Sequence, residues 1–179
     1  MQTATSNINY TQKAMQLGTI FGLYWIATAI IYLLGLNNAS LSVLFLAMIT
    51  ISPFLAGYLV IKFRKQECEN RMNFLNAWTF LIVMYICASL LFALAQYIYF
   101  AFIDGGFFIS FMQEQINALQ QMPELDNATK DALQQIITLW GQMNTGDIVL
   151  QFLSSNIMIA GILSPITAIF VKHTPKNNI

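Results

Sequence analysis

Four stretches of this sequence carry no charged residue: Met15–Leu36, Ser40–Ile61, Phe74–Ile103 and Ile148–Val171, of 22, 22, 30 and 24 residues. Crossing a hydrocarbon core takes about 20 apolar residues at 1.5 Å rise each. Lipid offers the backbone no hydrogen bonds, so uninterrupted apolar runs of this length must satisfy their own amides as helices. The sequence predicts an all-α polytopic membrane protein with four transmembrane helices and an extramembrane amphipathic helical hairpin between helices 3 and 4. Residues 1–179 read as one four-helix membrane domain, with 104–147 as an outer helical hairpin insertion. Composition agrees. Only 9% of the residues are charged, against about 25% in soluble domains.

Residues 1–12 lack the basic start of a cleaved signal peptide, and the first apolar run exceeds the roughly 7–15 residues of a signal core. It is expected to remain as a helix. The third run is longer than a bilayer requires, so it is expected to tilt or to project, with Gln96, Tyr97 and Tyr99 at an interface. Orientation follows from Lys and Arg. Lys13, the second connection (Lys62, Arg64, Lys65, Arg71) and the C-terminal tail (Lys172, Lys176) put seven of eight basic residues on one side. The first connection, Asn37–Ala39, has none and the third has only Lys130. Basic residues beside spans stay cytoplasmic, which predicts a multi-pass protein of a bacterial inner membrane with both termini inside.

Between the third and fourth runs, Asp104-Gly105-Gly106 is expected to end a helix. Phe108, Phe111, Met112, Ile116, Leu119 and Met122 then recur at helical spacing until Pro123. Leu133, Ile136, Ile137, Trp140 and Met143 form a second stripe, with Asp126 or Asn127 as its N-cap. The reading is two amphipathic helices of about four turns each. Six acids (Asp104, Glu114, Glu124, Asp126, Asp131, Asp147) against Lys130 give this segment a net charge of −5. Membrane-surface helices are usually basic. Packing of the helices on each other and on the third helix is therefore the first expectation, a partner or second copy the next, and lipid the last. Glu124, Asp126 and Asp131 lack the spacing and turn glycine of a calcium loop.

Ser52-Pro53-Phe54-Leu55-Ala56 resembles Ser164-Pro165-Ile166-Thr167-Ala168, and Trp25 and Ala27 match Tyr85 and Cys87 in type when the first and third runs are aligned. This suggests a parallel two-helix repeat about an axis along the membrane normal. Ser52 and Ser164 are placed to serve the carbonyls that the prolines leave free. Gly18 and Gly22 form a GxxxG, expected to pack within the bundle before it makes a dimer. Asn38-Ala39-Ser40 and Asn127-Ala128-Thr129 match glycosylation sequons, but helix capping explains both more simply.

Ionisable residues inside a membrane mark ion and proton paths, and these runs have none. Their hydroxyls and amides, including Thr19, Thr28, Thr50 and Ser89, more often bond neighbouring helices. His173 is the lone histidine, and no His/Cys/carboxylate set for a metal is legible. Cys68 lies between Glu67 and Glu69, whose charges oppose a thiolate. Cys87 falls inside an apolar run, so the two cysteines make no disulfide framework. There is no phosphate-cradling loop and no nucleophile elbow. No catalytic, cofactor-binding or metal site is predicted, and a net charge of zero gives no footprint for nucleic acid.

The run Lys62-Phe63-Arg64-Lys65, then Met72-Asn73-Phe74-Leu75-Asn76-Ala77, and the run Tyr97–Asp104 ending the third span resemble the domain-of-unknown-function family 4199. That family comprises small four-helix membrane proteins common in Bacteroidetes. The Met- and Gln-rich helices of Gln113–Met143 also fit, whereas Gly105-Gly106 stands where the family pattern has a proline. The resemblance carries no catalytic residue. It implies an accessory role beside a membrane-associated glycosyltransferase in lipid-linked sugar or envelope chemistry. The expected function is a non-catalytic membrane subunit or scaffold whose partners are membrane lipids and a glycosyltransferase or a second copy. The alternative is a small transporter or lipid-translocating protein using Gln96, Ser154, Ser155 and Asn156.

Overall fold

Among the described residues six helices follow one another: α1 (Tyr10–Gly35), α2 (Ala39–Glu67), α3 (Phe74–Phe102), α4 (Phe107–Gln120), α5 (Asn127–Gln142) and α6 (Thr145–Val171). They are seen in a computed structural model that describes residues 10–36, 38–123 and 125–173, so Asn37, Glu124 and Lys176 lie outside the described residues. Helices α1, α2, α3 and α6 are long and apolar enough to cross a membrane. The protein is an all-helical membrane protein with a helical hairpin, α4 and α5, between its third and fourth spans. Contacts divide the chain into two compact units, residues 1–92 with 155–179 and residues 93–154.

In the first unit, helix directions follow from paired side chains. Trp25 meets Ser52, Tyr32 meets Phe45 and Tyr10 meets Phe63, so α1 and α2 run antiparallel. Gly18 abuts Met84 and Cys87, Gly22 abuts Ala88 and Leu91, and Trp25 reaches Phe92. These contacts climb together, so α1 and α3 are parallel neighbours. Lipid is as apolar as a leucine side chain, so close packing and polar contacts hold such helices, not burial from water. The GxxxG of α1 supplies that closeness, laying its backbone directly on α3.

Around this contact lie Phe21, Phe80, Leu81, Met84, Tyr85, Val60 and Val171, all essentially buried. Phe63 stacks on Phe80 at 4.6 Å and Phe21 meets Tyr85 edge-on at 5.5 Å, arrangements that add about 0.5–1.5 kcal/mol per pair beyond area. Outward positions such as Phe54 and Phe170 are left bare, as a lipid solvent requires.

Pro53 and Pro165 sit inside α2 and α6. Each preceding serine accepts a tryptophan indole: Trp25 Nε1 donates to Ser52 Oγ at 3.1 Å and Trp78 Nε1 to Ser164 Oγ at 3.2 Å. In the turn before Pro53 the Tyr24 hydroxyl donates to the Met48 carbonyl at 2.6 Å. A Cβ on Gly57 would touch both Thr167 and Val171, which sets the two Ser-Pro turns at about the same level. The two turns thus have matching surroundings, although the indoles come from Trp25 and Trp78, not from the pair aligned in sequence.

In the second unit, the chain leaves α3 through Gly105 and Gly106 at φ 55° and 86°, left-handed values that glycine adopts freely. Asp104 accepts from the amides of Gly106 and Phe108 and so caps α4. Asp126 accepts from Thr129 N at 3.1 Å and caps α5. Asn144 and Asp147 bond each other's amides at 3.0 and 3.2 Å, a reciprocal box that starts α6. Phe108 meets Trp140, and Gln120 reaches Lys130 and Gln134, so α4 and α5 are antiparallel. Phe100, Phe108, Trp140 and Phe152 form one aromatic cluster within this unit.

Candidate functional site: the basic turn between α2 and α3

The α2 helix runs six residues past the uncharged stretch, to Glu67. Its inward stripe continues with it: Ala56, Gly57, Val60, Phe63 and then Arg64 are buried. A guanidinium therefore falls where the helical period dictates a core residue. It is met by neutral acceptors. Arg64 Nε donates to Asn70 Oδ1 at 3.0 Å, and Nη1 donates to the carbonyl of Val171. Val171 ends α6, where unpaired carbonyls form the negative end of the helix dipole and a cation is favoured.

The turn itself is tightly specified. The Arg64 carbonyl accepts from both Cys68 N and Asn70 N, which closes α2. Glu69 and Asn70 adopt φ 49° and 58°, a left-handed conformation that asparagine tolerates better than glutamate. Met72 and His173 exchange two backbone hydrogen bonds of 2.9 Å, an antiparallel pair that ties the turn to the end of α6. His173 Nδ1 donates to the Asn70 carbonyl at 2.9 Å, which fixes that ring nitrogen as the protonated one.

On the α1 side, Lys13 Nζ lies 2.5 Å from Glu67 Oε1, a half-exposed pair of the kind that contributes about 0–1 kcal/mol. The Tyr10 hydroxyl donates to the Cys68 sulfur, and Cys68 is itself buried. Burial pushes the Cys68 thiol up, and the neighbouring Glu67 charge adds to the rise while the Tyr10 hydrogen bond offsets part of it. This thiol is not a nucleophile in waiting.

Lys62, Lys65, Arg71 and Lys172 remain exposed around this scaffold. The four basic residues of the connection are thus of two kinds: Arg64 is structural, and the others are free to act at the surface. The remaining polar candidates lie in the spans. Ser154 Oγ donates back to the Leu150 carbonyl at 2.8 Å. Gln96 Oε1, in the hairpin unit, is buried without a hydrogen-bond partner among the described residues, and so is Asn156 Nδ2 in the helix-bundle unit. Among the described residues, no three His, Cys, Asp or Glu side chains gather as a metal site would require. Neither the curated proteins compared with the chain nor the solved structures give a match. The family model described as "Protein of unknown function (DUF4199)" matches residues 16–173, nearly the whole chain, and the chain belongs to that family.

Proposed function

We propose that this protein is a non-catalytic subunit of a bacterial inner membrane that offers a pre-formed basic surface to a membrane-associated partner. The observation that carries the reading is the locked α2–α3 turn. Its backbone is held by Arg64, by the Met72–His173 pair and by two left-handed residues, while Lys62, Lys65, Arg71 and Lys172 face outward. A rigid display of charge loses little entropy when a partner docks. The seven-to-one distribution of Lys and Arg supports placing this turn and both termini in the cytoplasm. On the family resemblance, the partner is a glycosyltransferase acting on a lipid-linked sugar or envelope precursor.

A photocrosslinking residue at exposed Gln66 is expected to capture that glycosyltransferase in living cells. The triple variant K62Q/K65Q/R71Q should lose most of the adduct. It retains Lys13, Arg64, Lys172 and Lys176 against Lys130, so orientation is preserved. An unchanged adduct in the triple variant refutes the docking surface.

The runner-up, a small translocator, is favoured by the unpartnered Asn156 amide in a membrane span. Alanine at Ser155 and Asn156 cripples a translocator and leaves a scaffold intact.

A further inference from the structure

We propose that one side of the α4/α5 hairpin is seated on the bilayer, with Phe107, Leu119, Met122 and Leu139 entering the headgroup–acyl boundary of a zwitterionic leaflet. The argument begins with the width of the apolar arcs. At 3.6 residues per turn, the apolar positions of α4 run from Phe107 through Phe111, Phe108, Leu119 and Met112 to Ile116 and Ile109, an arc of about 200° broken by Gln115, and Met122 follows just past the helix end. Packing on α5 uses its middle and far part: Phe108 meets Trp140, and Ile109, Met112 and Ile116 line one narrow cleft with Ile136, Ile137 and Trp140. Phe107, Leu119 and Met122 are left exposed. On α5, likewise, Ile137 and Trp140 turn inward while Leu139 is 58% exposed, and no residue of α5 is buried.

Both surplus arcs lie on the same rotational side of their inward stripes, towards lower angle when each helix is viewed from its N-terminus. In an antiparallel pair, that places them on one and the same side of the hairpin. The result is a single apolar face backed by a side carrying Asn117, Gln134 and Thr138.

The occupant follows from continuity and charge. Residues 103–106 alone separate α3 from α4, and Met143 and Asn144 alone separate α5 from α6. Both ends of the hairpin are therefore held at the mouths of membrane-crossing helices. Phe102 and Ile103, 80% and 68% exposed at the end of α3, and exposed Phe107 at the start of α4 flank the short Asp104–Gly106 turn, so exposed apolar residues stand on both sides of it. The acidity of the segment is no obstacle to a zwitterionic surface. Asp104, Asp126 and Asp147 cap helix N-termini, whose partial positive charge offsets theirs, and the other charges among the described residues of the segment are Glu114, Asp131 and Lys130.

The test uses the full-length protein in phosphatidylcholine nanodiscs with a benzophenone amino acid placed at one position at a time. Residues 119 and 139 are expected to give phosphatidylcholine adducts by mass spectrometry at the level of position 94, an exposed site on α3. Positions 117 and 138, on the other side, should give few. Absence of lipid adducts at 119 and 139 while position 94 reacts overturns the proposal. So do crosslinks from 119 or 139 to a second copy, which assign the face to self-association.

Discussion

A methyl group at Gly18 is the smallest change that tests the parallel α1/α3 contact. An ideal Cβ there would lie 2.6 Å from the Met84 carbonyl oxygen and 2.7 Å from Cys87 Cβ. Neither can rotate away, because one is backbone and the other is fixed to it. Ordinary contact needs 3.4 Å or more, so α1 must retreat by nearly an ångström along its whole seam with α3. Forced overpacking of this kind costs about 1–3 kcal/mol. The substitution also has a gain, since alanine is favoured over glycine in a helix by about 0.5–1 kcal/mol.

Gly161→Ala in α6 isolates that gain, because nothing stands within 4 Å of its Cβ position. Gly57→Ala would meet Thr167 and Val171 at 3.5 and 3.6 Å, ordinary contact distances, and should behave like G161A. The readout is the difference between G18A and G161A in reversible SDS unfolding of the protein in mild detergent. We expect G18A to be the less stable by about 1–3 kcal/mol. Melting temperatures should differ in the same sense, at about 2–4 °C per kcal/mol for a chain of this length. If G18A matches G161A, α1 and α3 do not touch in this register.

Arg64→Met should lower stability by about 1.5–3 kcal/mol in the same assay, as expected for losing hydrogen bonds from a charged donor. Arg64→Lys should not restore it, because one ammonium cannot span both Asn70 and Val171; full rescue by lysine would contradict the bidentate clamp. Cys68 should alkylate with iodoacetamide more slowly than a free thiol at equal pH, with its pH–rate midpoint displaced above the ordinary value of about 8.5. The sign for stability follows. A thiol raised by burial favours the folded state below its unfolded pKa, and that contribution is lost as pH climbs through the folded value. A topology reporter therefore belongs at exposed Gln66 and not at Cys68. The two Thr129 hydrogen bonds hold the Asp126 carboxyl below the usual carboxylate range, so its contribution is present above that range and fades as pH falls. D126A should fray α5 by amide exchange, whereas D126N should retain most of the cap; equal protection in D126A and wild type would count against it.

The four spans were legible because lipid imposes a rule that needs no partner: an uncharged run of sufficient length must be a helix. Their ends were less so. The α2 helix runs on to Glu67 because Arg64 and Cys68 find partners on α6 and α1, and no local signal announces contacts so distant along the chain. One signal was nevertheless present. Arg64 continues the Ala56–Val60–Phe63 stripe by helical spacing, and an arginine on a buried stripe asks for an acceptor. The α5 cap at Asp126 was readable because capping is local, whereas Asp104 was read only as the end of α3 and also caps α4. The full width of the hairpin's apolar arcs was legible too, but a count of charges outweighed it; the capping carboxylates stay ionised, and the partial positive charge of the helix N-termini offsets them. The partners of Ser52 and Ser164 were misplaced for a related reason. A hydroxyl next to a proline has local carbonyls to serve, but here indoles of other helices reach it.

The clamp between the α2–α3 turn and the end of α6 has a consequence for biosynthesis. A ribosome that has just delivered α3 must still translate residues 103–144 before α6 begins, a delay of roughly 2–8 s at about 5–20 residues per second. Throughout that interval the Arg64 guanidinium has no Val171 carbonyl and the Trp78 indole has no Ser164 hydroxyl. The three-helix precursor thus carries an unquenched cation near the end of α2. When α6 enters, the cation is withdrawn into the fold. A residue that waits without its partner in the nascent chain thus fastens the finished one.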